Sequence, residues 1–408
     1  FDAVTVSSGD TLDLNGQRME CSGLFRNQGT IDVDGGLVYA ADFNLDQAFT
    51  NESGLNALVM TGTGDIDFGD SELTSGTFMI NSSGTVTMEN DHVVGNLLVG
   101  CGTLASSNTV DCTDLTIATG GTFNANDDII TVAGDFTTSG GLIGKSALTF
   151  DETATSNKVA IPDDSTLDLT TAGTLMAWVK IPTDAGSKQR VISKEYQAYE
   201  MSVEAGLLSG YHGTNGAGGF NSTKGTSDLR DGKWHHCAIT FDGSSSLVKI
   251  YVDGKLENQE STPVSFQNRS GDLSIGHRTA GSTSSADDWM DGEIAVASVW
   301  NTVLTEAQIR SKIFSDFASL DSNTGCVAFY QFDEGSGTAV ADSTSNNNDG
   351  TASSSSLWVG AGTFSFGTST LTMAKSGSQK IFTSAGEIIY ALTVNAGSTT
   401  DIECVGSD

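Results

Sequence analysis

Gly232-Lys-Trp-His-His-Cys-Ala-Ile-Thr-Phe-Asp-Gly243 and, after a short Ser run, Leu247-Val-Lys-Ile-Tyr-Val-Asp-Gly-Lys-Leu256 carry two strand patterns in succession. Trp234, His236, Ala238 and Thr240 alternate with His235, Cys237, Ile239 and Phe241. Val248, Ile250 and Val252 then alternate with Lys249, Tyr251 and Asp253. A period of two, filled with β-branched and aromatic residues, predicts half-buried antiparallel strands. Asp242-Gly243 and Asp253-Gly254 supply the positive φ that tight hairpins require. The expected class is all-β.

Further segments of this kind surround the pair. Ser146-Ala-Leu-Thr-Phe-Asp151 through Val159-Ala-Ile-Pro162 reads as an opening strand pair, and Thr174-Leu-Met-Ala-Trp-Val-Lys-Ile-Pro182 as a core strand. Leu273-Ser-Ile-Gly276 and Met290-Asp-Gly-Glu-Ile-Ala-Val-Ala-Ser-Val-Trp-Asn301 close the series. In this order the motifs resemble the laminin-G-like, concanavalin A-like jelly-roll family over roughly residues 146–362. One position departs from the family: the acidic residue that often follows Gly-x-Ile of the last strand is Ala295 here. Thr305 and Gln308 form a capping box ahead of Ile309, Ile313 and Phe317, so one short helix is expected after the closing strand. Cys326-Val-Ala-Phe-Tyr-Gln-Phe-Asp-Glu-Gly-Ser-Gly337 through Asp342–Gly350 resembles a segment often found ahead of such jelly rolls, but here it follows. It could complete the sandwich or lead into the next segment.

The first 144 residues read differently. A gapless internal repeat at an offset of 111 sets Val4, Val6, Gly9, Thr11, Leu12, Asn15, Met19, Gly23, Phe25 and Gly29 on Leu115, Ile117, Gly120, Thr122, Phe123, Asn126, Ile130, Gly134, Phe136 and Gly140. A weaker copy at an offset of 37 places Ile80, Thr85, Val86, Met88 and Val93 on Ile117, Thr122, Phe123, Ala125 and Ile130. Leu392-Thr-Val-Asn-Ala-Gly-Ser-Thr399 is a partial fourth copy. Short strands that cannot bury their own apolar faces fit a stacked β-solenoid, although a β-sandwich would give similar strands. The expected division is a solenoid-like β-repeat region over 1–144 and a jelly roll with a C-terminal helix over 145–325. A trailing strand segment covers 326–362, and the repeats return over 363–408. The whole is similar in architecture to stalk-plus-laminin-G proteins of phage virions and bacterial surfaces.

Composition bounds the function. A length of 408 residues allows two or three domains. There are 51 acidic and 19 basic residues, a formal net charge of −32. Nucleic acid is therefore not expected as a partner, because phosphate binding needs clustered Lys and Arg. No apolar run approaches the roughly 20 residues of a membrane span, so no membrane insertion is expected. Phe1 begins a processed chain or a fragment, and a missing export signal says nothing about location. Six cysteines show no metal spacing; Cys237 and Cys326 are expected as buried thiols or a pair, and Cys101 and Cys112 could pair locally.

Catalysis is not expected. Glu200 and Glu204 lie four residues apart on one strand, about 13 Å, whereas glycosidase carboxylates stand roughly 5–9.5 Å apart. The E-x-D-x-x-E signature of jelly-roll glucanases is absent. Gly140-Gly-Leu-Ile-Gly-Lys-Ser146 lacks the first Gly of a phosphate loop. His235 and His236 leave opposite faces of one strand and cannot chelate one ion together. Tyr196, Tyr199, Tyr211, His212, Asn215, Phe220 and Trp289 are the candidate ligand-binding residues, since they fall in Gly-, Ser- and Asn-rich segments where aromatic planes could meet sugar rings. Calcium is the one cofactor expected, with Asp151, Asp291, Asp333 and Asp342 at family-type turns as candidate ligands. The resemblance thus implies a non-enzymatic extracellular or virion-surface protein. Its partners would be glycans or cell-surface polysaccharide, with copies of itself or neighbouring virion or surface subunits as a structural alternative.

Overall fold

The computed structural model describes residues 1–408 apart from 34, 46–48, 51–56, 69–72, 154–156, 187, 195–197, 214–219, 267–269, 279–288, 366–369, 374–376, 384–391, 395–397 and 405–408. At 49, 50, 74, 75, 220, 370, 377–383, 392–394 and 398–404 it describes the backbone alone. The chain divides into two compact units, residues 1–145 with 360–408 and residues 146–359.

The first unit is a β-solenoid. Its strands pair in parallel, coil on coil, through one sheet with 16 strands among the described residues. Stacking in register lines like residues up. Met19, Val38, Leu58, Phe78, Leu97, Leu115 and Phe136 form one inward row, all buried. The offset of 37 corresponds to two coils: Ile80 reaches Ile117 through Val99, and Val86 reaches Phe123 through Leu104. The offset of 111 reproduces turn geometry. Gly9 and Gly120 have φ of 87° and 77°, and Asn15 and Asn126 have 45° and 48°. In each Asn turn the backbone N–H bonds a side-chain oxygen two residues back, Asp13 Oδ1 at 2.8 Å and Asn124 Oδ1 at 3.2 Å. Gly23 and Gly134 are required for coil spacing: a Cβ would lie 2.4 Å from the Asp2 carbonyl or 1.9 Å from Asp114 Oδ1.

The second unit is inserted between successive coils. Before it, Gly121–Asn124 and Ile129–Val132 close one coil; after it, Thr363–Ser365 and Thr370–Met373 pair with them in register. Phe364 returns between Phe123 and Phe136, with ring centroids 5.2 and 5.4 Å away.

That second unit is an antiparallel sandwich. Its seven-stranded sheet runs Leu148–Phe150, Gly292–Trp300, Ala172–Lys180, Trp234–Asp242, Leu247–Val252 and Lys255–Ser261, with Cys326–Tyr330 also on Gly292–Trp300. Its eight-stranded sheet runs Phe220–Asp228, Leu207–Gly213, Tyr199–Glu204, Lys188–Lys194, Leu273–Ile275, Val159–Ile161, Gly350–Ala352 and Ala339–Val340. The trailing segment therefore adds strands to both sheets. Between them lies one apolar core that includes Val179, Ile239, Phe241, Ile250, Met201 and Ile275.

The outer face of the seven-stranded sheet is covered. The helix Glu306–Lys312 begins at Thr305 with the full capping box to Gln308. Ile309 and Leu304 pack on Met176, Ala238, Tyr251 and Trp300. Trp178 Nε1 donates to the Ile313 carbonyl at 2.8 Å, and its ring meets His236 at 5.6 Å. The helix stops one turn short of Phe317, which rests instead against Phe329, 5.4 Å between centroids.

Of the two alternatives for the cysteines the structure shows the thiols: Cys21, Cys101, Cys112, Cys237 and Cys326 are free. Cys237 sits in the sandwich core, whereas Cys326 packs on the outer cluster under the helix, which keeps them apart. Cys101 is occupied by Asn81 Oδ1 at 3.1 Å and the Ser82 carbonyl at 3.2 Å.

Candidate functional site

With one sheet covered by the helix, the outer face of the eight-stranded sheet is where polar side chains gather. Alternation decides which residues point there. On Tyr199–Glu204, Tyr199, Met201 and Val203 enter the core, so Glu200, Ser202 and Glu204 face outward. Across the ladder, Ser193 lies opposite Glu200 and Arg190 opposite Ser202. Tyr211 lies opposite both Glu200 and Ser222, and Ser209 opposite both Ser202 and Lys224.

These residues form an ionic network. Arg190 Nη1 donates to Glu200 Oε1 at 2.5 Å and to Glu204 Oε1 at 3.1 Å. Arg278 grips Glu200 with two bonds, Nε to Oε2 at 2.7 Å and Nη2 to Oε1 at 3.0 Å, and Ser193 Oγ adds a third donor at 3.0 Å. Glu204 Oε2 accepts from the Tyr211 hydroxyl and from Lys224 Nζ at 3.2 Å. Arg190 is 2% exposed and Glu200 6%, so the pair is paired and hydrogen-bonded as buried charges must be. Burial would raise the Glu204 carboxyl, but the Tyr211 hydroxyl, Arg190 and Lys224 outweigh it and hold it below its usual range. The Tyr211 hydroxyl is pushed up by burial and by its bond to Glu204.

One sequence inference needs correction here. Glu200 and Glu204 were separated on the basis of strand rise alone, yet one Arg190 nitrogen bonds both. Side chains lean along a strand, and a shared cation draws them together. The arrangement still does not resemble an acid–base pair. A general acid needs a raised pKa, and Glu204 is shifted the other way.

The candidate ligand-binding residues separate by face. Tyr211 is half-buried on the network. Tyr199 belongs to the core: its hydroxyl donates to the Leu167 carbonyl at 2.9 Å and its ring meets Phe266 at 5.7 Å. His212 is also turned inward, 5.8 Å from Phe241, and burial lowers its pKa. Neither can meet a ligand. Trp289 is 8% exposed and stacks on His277 at 3.8 Å, so that ring face is occupied within the protein. Tyr196 and Asn215 lie outside the described residues, as does the side chain of Phe220. The network residues Arg190, Lys224 and Arg278 were missed, because their partners are distant in sequence.

The candidate calcium ligands do not converge. Asp342 is 7% exposed, and its carboxylate is filled by the N–H groups of Phe329, Thr344 and Asn348 and by the Thr344 hydroxyl. Asp333 accepts from Gln331 Nε2 at 2.9 Å. Asp151 caps its own turn through Thr153. Asp291 has acidic company: burial raises its pKa, then Glu152, Asp151 and Asp184 raise it further. Among the described residues no three His, Cys, Asp or Glu side chains come close enough to hold an ion, and the donor set does not fit a preformed calcium cage.

The histidine pair does divide between faces. His236 packs under the helix and burial pushes it down to about 4. His235 Nδ1 lies 2.9 Å from Asp253 Oδ2 and Nε2 3.1 Å from Asp231 Oδ1. Burial opposes its charge, but Asp253 and Asp231 win and push it up to about 10.

Residues 153–310 match the sequence model of the concanavalin A-like lectin/glucanases superfamily, across the strands that build the sandwich. This part of the chain is a concanavalin A-like domain. No curated protein sequence matches the chain. Solved structures similar to it include a Bacteroides ovatus protein named as carbohydrate-binding, at 19% identity and TM-score 0.41, covering 51% of this chain and 57% of that one. Domains LG4-5 of the mouse laminin α1 chain are similar at 14% identity and TM-score 0.32, covering 42% and 45%. The CBM40 of the Ruminococcus gnavus IT-sialidase is similar at 14% and 0.32, covering 39% and 95%. The chain thus spans about half the length of the first two. The concanavalin A-like domain carries its polar network on the outer face of the eight-stranded sheet, the sheet on which the helix does not pack.

Proposed function

We propose that the protein binds glycans, without turning them over, through the outer face of the eight-stranded sheet. The observation that carries this reading is the network around Tyr211. A half-buried aromatic plane lies beside fixed hydrogen-bonding groups on an extended sheet surface, which suits a ligand rich in both hydroxyls and apolar C–H faces. The carboxylates serve as fixed acceptors, each held by cations. The solenoid is the scaffold in this reading. Its acidic surface and the architectural resemblance to surface stalk proteins support a place outside the cell or on a virion. The free thiols do not add to that, since no disulfide joins the five described cysteines.

The test is binding of the full chain to an array of polysaccharides, with calcium and with EDTA. Tyr211→Ala is expected to lower affinity at least tenfold while leaving the melting temperature within a few degrees. Loss in EDTA would show that binding needs a divalent cation. Unchanged binding by Tyr211→Ala would move the site off this face, and sugar release on incubation would overturn the non-enzymatic reading.

A further inference from the structure

Around Tyr211 the cations are already spent on the protein's own carboxylates. Arg190 is shared between Glu200 and Glu204, Arg278 is bound to Glu200 by two bonds, and Lys224 is bonded to Glu204. Lys188 is a fourth base, opposite Glu204 in the ladder. Beside it, Glu152 accepts from the Gly186 N–H at 3.2 Å and from Gln189 Nε2 at 3.4 Å, and the Asp291 N–H donates to the same Gln189 side chain. Beyond Lys224, Glu257 accepts from the N–H groups of Thr226 and Ser227, and Glu260 from the Thr223 hydroxyl at 3.2 Å. The segments 195–197, 214–219 and 279–288, which flank these strands in the sequence, contain no Lys or Arg and add Glu195, Asp287 and Asp288. Acids therefore outnumber bases here, as they do over the whole chain.

This balance bears on the ligand. An ionised carboxylate accepts hydrogen bonds and donates none. A surround rich in carboxylates is met by donors, and sugar hydroxyls are donors, whereas a uronate or a sulfate brings one more anion. The formal net charge of −32 repels a polyanion before contact, and like charges brought together at a surface reject a partner strongly. The Tyr211 ring adds an apolar plane for C–H faces, which asks for no charge on the ligand.

We propose that the glycan taken by this face is neutral, a polysaccharide of hydroxyl-bearing sugars without carboxylate or sulfate groups, and that the acids around Tyr211 exclude its charged counterparts. This rests on the glycan-binding reading above.

The experiment uses the full chain with mixed-linkage β-glucan, galactomannan and amylose, each beside the same polymer oxidised at C6 to the carboxylate, so that the backbone is held constant and charge is varied. Expected are saturable binding of at least one neutral polymer, its loss in Tyr211→Ala, and a weakening of about tenfold or more on oxidation. Salt separates repulsion from a missing hydroxyl. Raising it from 50 to about 300 mM should leave the neutral affinity within about twofold and narrow the gap to the oxidised form, because screening shortens the reach of the acids. A gap that salt does not move would overturn exclusion by charge. Equal or tighter binding of the oxidised form, lost in Tyr211→Ala, would overturn the neutral ligand and leave glycan binding standing. No binding of any neutral or oxidised form would overturn both. Circular dichroism confirms that Tyr211→Ala is folded.

Discussion

The solenoid and the concanavalin A-like unit treat ionic groups in opposite ways. Between residues 1 and 144 the basic residues are Arg18 and Arg26, and the inward rows are apolar. Arg18, its side chain 9% exposed, is bonded to the exposed Glu20 at 2.9 Å and lies 4.2 Å over the Tyr39 ring. In the sandwich, Arg190, Lys194 and Lys312 are all 2% exposed or less, and each meets a carboxylate. Pairing direction explains the contrast. Parallel coils of a repeating sequence put like beside like, which suits Phe on Phe and penalises charge on charge. Asp42 shows the penalty: it precedes Phe43, which pairs with Ile66, and after burial itself the nearby charge of Asp65 helps raise its pKa. Antiparallel strands set unrelated residues opposite one another, so a base can face an acid. Networks of unlike charges need that heterogeneity.

If the two units are separate in stability, a lesion in one should spare the other. Phe78 is fully buried and meets Phe43 at 6.0 Å and Phe68 at 5.2 Å, edge to face. Phe78→Ala should destabilise the solenoid by about 3–5 kcal/mol. Calorimetry should show the solenoid transition broadened and lowered, as expected of a stack with nearest-neighbour coupling, with the sandwich transition in place. A single transition that moves as a whole would refute the separation.

A milder way to divide them is alkali. His235 has its folded pKa raised to about 10 from 6.5. Its contribution is therefore fully present below about pH 6.5 and is lost as pH rises towards 10. Melts at pH 6, 7.5 and 9 should show the sandwich transition falling by several degrees, while the solenoid transition holds. His235→Gln should remove that slope. On the acid side both units should weaken together: His92 in the solenoid and His236 in the sandwich are each pushed down to about 4 by burial, so their stability is lost as pH falls from 6.5.

The smallest expected effect is a gain. Asp42→Asn removes one of two neighbouring like charges and should stabilise the solenoid by about 0.5 kcal/mol at neutral pH. The gain should shrink as pH falls through the raised pKa of Asp42, where the acid itself becomes neutral. A loss of stability would mean that the Asp42 carboxylate has a favourable partner stronger than the repulsion from Asp65.

Much of this fold could be read from residue patterns. The alternation in Trp234–Asp242 and the capping box at Thr305 give their elements directly, and the offset of 111 matches positions that share turn angles. The site was less legible. Tyr199 and Tyr211 look alike as strand aromatics in polar surroundings. Parity separates them: Tyr199 shares its face with Met201 and Val203, whereas Tyr211 stands opposite in phase to the buried Leu208. That signal was present in the sequence. The network was not, because Arg278 reaches Glu200 across 78 residues and only the folded sheet order brings them together. The ends of the helix were likewise beyond pattern, since Phe317 continues the apolar period after the backbone has turned away.

The two ends of the inserted unit lie side by side: the Val359 N–H donates to the Ala147 carbonyl at 3.1 Å, and Leu148 bridges to Trp358. The coil after the insertion resumes where the coil before it stopped. Such a junction works as a graft point. Any domain whose termini meet within a few ångströms could be exchanged there without altering the pairing of the coils, so a whole module could be replaced while the solenoid is inherited intact.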